Sequence, residues 1–99
     1  MYDIKNLNHL GSLGKNNEAS MKALQAFNDS VFSDGEIPLK YKELIAVAVA
    51  ISKQCAYCIE VHKKSAIKAG ASETELSEAV FIASAIGAGV AVTHGTHLF

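Results

Sequence analysis

The chain has 99 residues, which suits one domain, and 49% hydrophobic against 19% charged residues exclude a disordered tail. Its 9 basic and 10 acidic residues are intermixed and give a net charge of −1, so nucleic acid is not an expected partner. The chain is rich in alanine, valine and isoleucine, and one small core does not hide that much apolar surface. We therefore expect burial against other copies of the chain.

No membrane partner is expected either. The N-terminal stretch MYDIKNLNHL lacks the charged and apolar regions of a signal peptide. The uncharged stretch AVFIASAIGAGVAVTHGTHLF contains three glycines and two histidines, and its purely apolar and small part is shorter than a spanning helix. This predicts a buried helical region, and two cysteines without an export signal favour a reducing, cytoplasmic location.

The first half of the chain predicts two helices after a lead-in. Residues 1–16 are polar and contain two glycines, so we expect a loosely ordered lead-in followed by a helical domain over 17–99. From Asn17, apolar residues recur at spacings of three and four, which predicts a helix that ends near Gly35. Pro38 then opens a second helix, whose apolar run from Leu44 to Ile51 predicts a central position.

The second half predicts three more helices. The third runs from about Ala56 to Ala69, and a glycine follows to cap its end. Ser72 with Glu75 three residues later is a capping box, which predicts the start of the fourth helix. This helix is expected to end near Gly87 or Gly89, with a short fifth helix over 90–97. The fold class is therefore all-α: a single compact domain of about five helices with short links.

The stretch KQCAYCIEVH contains the candidate chemistry, Cys55, Cys58 and His62. Haem attachment requires a histidine directly after the second cysteine, where Ile59 stands, so haem is excluded. A structural zinc site needs four ligands, and only three are present unless a distant histidine joins them. Both cysteines fall within one helical turn, which disfavours zinc, and their polar neighbours disfavour inert core cysteines.

A redox function has a physical basis in this stretch. A helix N-terminus stabilises a thiolate and lowers the pKa of a cysteine there. Cys55 and Cys58, three apart, are close enough for a disulfide if the first turn adapts. Cys58 and His62 are four apart and share a helix face, so His62 is placed to accept the thiol proton.

Glu43 is a candidate partner for His62. If helices two and three form an antiparallel hairpin turning near Gln54, Glu43 lies about 16 Å back along the second helix. His62 lies about 12 Å down the third helix by the same rise, so the two levels differ by about 4 Å. A glutamate side chain spans that offset. The candidate proton relay is therefore Glu43–His62–Cys58, with Cys55 beside it.

The signature Glu43-x11-Cys55-x2-Cys58-x3-His62 resembles that of the AhpD-like alkylhydroperoxidases in the carboxymuconolactone decarboxylase superfamily. The similar region runs from about Ile37 to the C-terminus. The resemblance implies an all-α fold assembled as trimers, or as hexamers built from dimers. It also implies a thiol-dependent peroxidase, an antioxidant enzyme that reduces hydroperoxides through a dithiol–disulfide cycle. We expect no cofactor and no bound metal.

The resemblance also implies roles for the four residues. Cys58 attacks the peroxide, Cys55 resolves the sulfenic acid, His62 is the base and Glu43 its relay partner. The helix dipole alone favours Cys55 as the more reactive thiol, so the order of the cysteines stays open. We expect a dithiol such as a lipoyl group or a thioredoxin-like protein as the electron donor, and small thiols stay open as the other candidates. The alternative function is a thiol-disulfide reductase or redox sensor that does not use peroxide.

The C-terminal stretch THGTHLF holds two further histidines, His94 and His97. Because the two histidines are three positions apart, they are candidate ligands of a metal ion. The favoured interpretation is that one packs near the active site or a subunit interface and the other is solvated.

Overall fold

Helices make up nearly all the regular structure of residues 2–99, which are the residues that the computed structural model describes, and no strand forms among them. The α-helices are α1 (Leu10–Asn16), α2 (Glu18–Val31), α3 (Leu39–Ser52), α4 (Ala56–Lys68) and α5 (Glu73–Gly95), with 3-10 helices at Ile4–His9 and Thr96–Leu98. The predicted all-α class with five helices is confirmed.

The chain divides into two compact units, one up to Leu39 and one from Lys40 onward. This boundary lies just after Pro38, where α3 begins. The expected domain limits of 17–99 stay a prediction.

The lead-in is helical, which differs from the expectation of a loosely ordered segment. The Asp3 carboxylate accepts the backbone N–H of Lys5 and caps the first 3-10 turn. α1 then packs on α2 at Gly14, where an added Cβ would lie 2.9 Å from Cγ of Met21. The missing side chain at Gly14 therefore permits the close approach of α1 and α2.

α2 begins where the sequence predicts, since the side chain of Asn17 accepts the N–H of Ser20 and caps the helix. It ends at Val31, four residues before the expected stop at Gly35. The hydroxyl of Ser30 donates to the carbonyl of Phe27 in the last turn. This carbonyl therefore has a hydrogen-bond partner although the helix does not continue.

α3 and α4 carry most of the buried side chains of the unit that starts at Lys40. α3 begins directly after Pro38, and Val47 and Ala50 on it are buried. Ala66 of α4 is fully buried. At the end of α4, Gly70 adopts a φ of 100°, and its N–H bonds the carbonyl of Ile67. The predicted C-terminal glycine cap is therefore present.

α5 begins at the predicted capping box but does not stop at the predicted glycines. Ser72 and Glu75 exchange both capping hydrogen bonds. The helix continues through Gly87 and Gly89 to Gly95, so the expected break and separate fifth helix are wrong. Each glycine costs a helix only about 1 kcal/mol, and the sequence offers neither proline nor a capping side chain at this point.

α5 is exposed along nearly its whole length, although a buried region is expected from its sequence. Phe81 is 70% exposed, Ile86 67% and Val92 72%. The helical stretch Glu73–Leu98 has the length and apolar composition of a membrane span, a criterion that core helices of soluble proteins also meet. Only 6% of its most apolar window is buried within this single chain.

Candidate active site

The turn between α3 and α4 is a Schellman motif that places Cys55. The N–H of Gln54 bonds the carbonyl of Ile51 at 3.1 Å, and the N–H of Cys55 bonds the carbonyl of Ala50 at 3.0 Å. Gln54 takes the left-handed conformation that this motif requires, with a φ of 57°. Cys55 is thereby both the residue after the α3 turn and the N-cap of α4.

Cys55 and Cys58 form a disulfide across the first turn of α4, with their Cα atoms 5.3 Å apart. The first turn therefore accommodates a bridge between residues three apart, as the spacing predicts. The Cys58 N–H also donates to the Cys55 sulfur, at an N–S distance of 3.2 Å. Both cysteines are half-buried. A helix N-terminus is an electropositive setting in which a thiolate is stabilised.

Glu43 and His62 meet across the α3–α4 hairpin, as the rise along the two helices predicts. Nδ1 of His62 lies 2.7 Å from Oε2 of Glu43. Glu43 is 5% exposed, so its carboxylate needs a hydrogen-bonding partner in the interior. With the carboxylate as acceptor, Nδ1 carries the proton and Nε2 is the ring nitrogen left to accept one.

The four predicted site residues therefore lie on two helices and one turn. Glu43 comes from α3, Cys55 from the turn, and Cys58 and His62 from α4, one helical turn apart. A histidine oriented by a carboxylate and placed one turn from a cysteine is an arrangement for moving a thiol proton. The site can thus support thiol-disulfide chemistry.

His94 and His97 lie near the end of α5, and both are exposed. Nδ1 of His94 donates to the carbonyl of Val90 at 2.9 Å, and the two rings are 6.2 Å apart. No group of three possible ligands suited to a metal ion forms within residues 2–99. The expectation that one of these histidines lies near the active site or an interface stays a prediction.

Sequence reasoning missed one ion pair that joins helices of this unit. The Lys40 amine at the start of α3 lies 3.0 Å from Oε2 of Glu75 in the first turn of α5. The hydrogen bond to Glu75 raises the pKa of Lys40. The pKa of Glu75 is lowered, first by the backbone hydrogen bond from Ser72 and then by Lys40. Local sequence patterns do not indicate this contact, because the two residues are 35 positions apart.

Comparison with known sequences agrees with this arrangement. The sequence profile of the carboxymuconolactone decarboxylase family matches residues 18–99, which include all four candidate site residues. The chain belongs to the carboxymuconolactone decarboxylase family. The AhpD-like resemblance read from the cysteine motif is therefore confirmed at the level of the family.

Family relatives occur in several bacteria. The chain is 38% identical over 97 residues to uncharacterized protein 4 in the cox locus of Paracoccus denitrificans, with 95% of this chain and 87% of that protein covered. It is 37% identical over 79 residues to an uncharacterized protein of Cupriavidus necator, with 80% of this chain and 70% of the relative covered.

A solved structure shares the fold. The crystal structure of a protein from Methanobacterium thermoautotrophicum superposes with a TM-score of 0.81 at 30% sequence identity. The match covers 86% of this chain and 96% of that one. The helical architecture is therefore common to the two proteins.

Proposed function

We propose that this family member is a thiol-dependent peroxidase that reduces hydroperoxides through a Cys55–Cys58 dithiol–disulfide cycle. One observation carries the proposal. A disulfide at a helix N-terminus stands one turn from His62, whose Nδ1 is 2.7 Å from the buried carboxylate of Glu43. Family membership and a disulfide-forming pair are consistent with redox activity.

The first step oxidises Cys58. Nε2 of His62 takes the thiol proton while Glu43 holds Nδ1–H, and the resulting imidazolium is stabilised by the carboxylate. The thiolate attacks one peroxide oxygen, a sulfur–oxygen bond forms, and the oxygen–oxygen bond breaks. The alkoxide leaves with the proton from His62. The peroxide is reduced to an alcohol, and Cys58 becomes a sulfenic acid.

The second step forms the disulfide. The Cys55 thiolate attacks the Cys58 sulfur, and the hydroxyl group leaves as water after taking up a proton. A dithiol donor then reduces the disulfide by exchange and becomes a disulfide itself. We propose a lipoyl group or a thioredoxin-like protein as this donor, and a reducing cytoplasm as the compartment.

The order of the cysteines is the part of the mechanism with two opposing arguments. The family resemblance assigns the attack to Cys58, which shares a helix face with His62. The N-cap position of Cys55, whose sulfur receives the Cys58 N–H at 3.2 Å, supports a thiolate at Cys55. Trapping with a sulfenic-acid reagent separates them: Cys55→Ser should retain a trappable sulfenic acid on Cys58 after one equivalent of peroxide.

We also propose that the chain works as a homo-oligomer, as a trimer or a hexamer. The exposed apolar surface of α5 supports this, because a helix that is apolar on all sides is normally surrounded by protein.

A disulfide reductase or redox sensor is the second candidate function. The observation that favours it is that the disulfide and its histidine need no peroxide to exchange with another dithiol. In that case, the protein passes electrons between thiols and leaves hydroperoxides unreduced.

A panel of dithiol donors, with peroxide loss and disulfide reduction followed together, tests the proposal. Peroxide consumption that depends on one donor supports the peroxidase, and disulfide reduction without peroxide loss supports the reductase. Cys58→Ser keeps the side-chain size and removes the thiol, so we expect peroxide turnover to fall to background. Full turnover in Cys58→Ser contradicts the assignment, and Ser20→Ala, a hydroxyl change on the exposed surface of α2, is the control.

A further inference from the structure

The outer side of α4 carries a stripe of side chains that starts beside the disulfide and becomes basic. Ala66 is fully buried, so it marks the side of α4 that faces the interior. At about 100° per residue, four side chains lie within about 40° of the opposite side of the helix. These four residues form the α4 stripe: Tyr57, Val61, Lys64 and Lys68. The valine and both lysines are exposed, so a partner can reach the stripe on this chain.

The two lysines of the stripe keep their charge available. α4 contains three lysines but only one acidic residue, Glu60. Within residues 2–99, neither Lys64 nor Lys68 forms an ion pair, and Glu60 leaves Lys64 unpaired although the two are four positions apart. Exposed lysines of this kind attract a partner of opposite charge.

The stripe is continuous with the turn that holds the disulfide. Tyr57 stands between the two cysteines in the sequence, and Val61 follows Cys58 by three residues. By helix rise, Lys64 lies about 9 Å and Lys68 about 15 Å beyond Cys58 along α4. A molecule that contacts both lysines while one of its thiols reaches the disulfide therefore extends over about 15 Å, farther than a small dithiol such as dithiothreitol.

We propose that the α4 stripe is the docking surface for the dithiol donor, and that this donor is a protein with acidic side chains about 9–15 Å from its dithiol. The proposal rests on dithiol exchange at the Cys55–Cys58 bridge, a step that both functions proposed above share. Charge complementarity selects an acidic partner. A simple alkyl hydroperoxide is short and uncharged, so the two lysines offer it no contact.

The docked donor reduces the bridge by two exchange reactions. One donor thiolate attacks a sulfur of the Cys55–Cys58 bond, a mixed disulfide forms, and the other protein sulfur leaves as a thiolate. The second donor thiolate then attacks the donor sulfur of the mixed disulfide and releases the remaining protein thiolate. The donor becomes a disulfide, and its two thiol protons balance those taken up by the two protein thiols.

Two synthetic peptides that differ only in charge test the proposal. Each carries a reduced Cys-Gly-Gly-Cys dithiol and two further glycines, followed by three aspartates in one peptide and three lysines in the other. An extended chain spans about 3.5 Å per residue, so the charges begin about 10 Å from the second cysteine. The measurement is the rate at which each peptide reduces the oxidised protein, with dithiothreitol as the uncharged reference.

We expect the aspartate peptide to react about 10-fold faster than the lysine peptide at low salt, and the preference to fall to about 2-fold or less in about 0.5 M salt. The net charge of the whole chain is −1, which by itself favours the lysine peptide. A preference for the aspartate peptide therefore requires a local basic surface.

Charge variants on α4 locate that surface. Lys64→Glu/Lys68→Glu should reverse the preference, and Lys64→Glu alone should lower it to about 3-fold or less. Lys63→Glu is the matched control, because Lys63 is exposed on the same helix but lies about 120° from the middle of the stripe. Its preference should stay within about 2-fold of the unmutated value, and dithiothreitol should reduce every variant at nearly the same rate.

Several results overturn the docking surface while leaving the dithiol cycle intact. They are equal rates for the two peptides, a preference that survives in Lys64→Glu/Lys68→Glu, an equal loss in Lys63→Glu and Lys64→Glu, or dithiothreitol rates that fall in step with the peptide rates. A bridge that dithiothreitol also leaves unreduced contradicts the proposed dithiol cycle itself, and the docking surface with it.

Discussion

The α3–α4 hairpin and α5 belong to one compact unit but differ in which of their side chains are buried. The hairpin buries a charged group, Glu43, and satisfies it within the chain through His62. α5 is also rich in apolar residues, yet Phe81 and Ile86 remain mostly exposed. The buried charge of the hairpin is therefore satisfied within the chain, whereas α5 presents a mostly apolar surface that the single chain leaves uncovered.

This difference assigns the candidate chemistry to the α3–α4 hairpin and the expected association of copies to α5. The redox pair and its histidine require only α3, α4 and the turn between them, so the geometry of the site is set within one chain. The apolar surface of α5 adds nothing to that geometry. Substitutions at the site residues and at buried positions of the hairpin should therefore change reactivity or folding, and substitutions at exposed apolar positions of α5 should change association.

The largest effect is expected at the internal contact of the hairpin. Glu43→Gln removes the negative charge that stabilises the His62 imidazolium, and we expect the reaction of reduced protein with peroxide to slow about 100-fold. Thiol alkylation should also require a higher pH, and His62→Ala should act similarly. Stopped-flow peroxide kinetics and the pH profile of alkylation measure both effects.

Glu36→Gln, an exposed change outside the hairpin, is the control for that variant. An alkylation profile for Glu43→Gln that overlays the unmutated one removes Glu43 from the proton relay.

The next largest effect is expected on the free energy of unfolding, where a buried and an exposed apolar residue should differ. Val47 is 4% exposed on α3, and Val47→Ala should lower the free energy of unfolding by about 1–3 kcal/mol through lost packing. Ile86 is 67% exposed, and Ile86→Ala should change the stability of dilute protein by less than about 0.5 kcal/mol. Urea unfolding at several protein concentrations measures both.

At high concentration, Ile86→Ala should lose stability relative to the unmutated protein, because association stabilises the folded chain by mass action. An Ile86→Ala cost that is large and independent of concentration places this side chain in an internal core.

A smaller effect is expected at the two Schellman turns. Gln54 pays for a left-handed conformation that glycine adopts freely, so Gln54→Gly should raise the free energy of unfolding by about 0.5–1 kcal/mol. Gly70→Ala should lower it by about 1 kcal/mol, because alanine is strained at a φ of 100°. Thermal unfolding measures the pair, and two changes of the same sign contradict this account of the turns.

The smallest effect is expected at the partly exposed ion pair of Lys40 and Glu75. Because the pKa of Glu75 is lowered from 4.5, its contribution is present above pH 4.5 and disappears as the pH falls through the folded-state pKa. Because the pKa of Lys40 is raised from 10.5, its contribution holds below pH 10.5 and disappears as the pH rises through the folded-state pKa.

Glu75→Gln should therefore show a slightly lower melting temperature at pH 7 that converges on the unmutated value in acid. Lys40→Met should show a small deficit at pH 7 that closes in alkali. A deficit of constant size across the whole pH range contradicts an electrostatic origin.

Local signals in the sequence were sufficient for most helix starts and for the candidate site. Ser72 with Glu75 marks the start of α5, and helix rise alone brings Glu43 level with His62. These features depend on hydrogen bonds between near neighbours, or on the fixed geometry of two helices joined by a short turn. Such information is contained in spacing.

The features that the sequence did not reveal depend on context. α5 passes through Gly87 and Gly89, because a glycine without a cap or a proline weakens a helix but does not end it. Gln54 adopts the left-handed conformation without being a glycine, so the sequence contains no residue that predicts this turn. The composition of α5 likewise does not predict its exposure. Apolar residues indicate burial, but they do not indicate whether the same chain or another chain covers them.

A single turnover of fully reduced protein with one equivalent of an alkyl hydroperoxide shows whether Cys55 and Cys58 reduce hydroperoxides. The account predicts that both thiols per chain disappear, that one equivalent of alcohol forms, and that peptide mass spectrometry finds a Cys55–Cys58 disulfide within each chain. Peroxide that remains while both thiols stay free contradicts the claim that these cysteines reduce hydroperoxides.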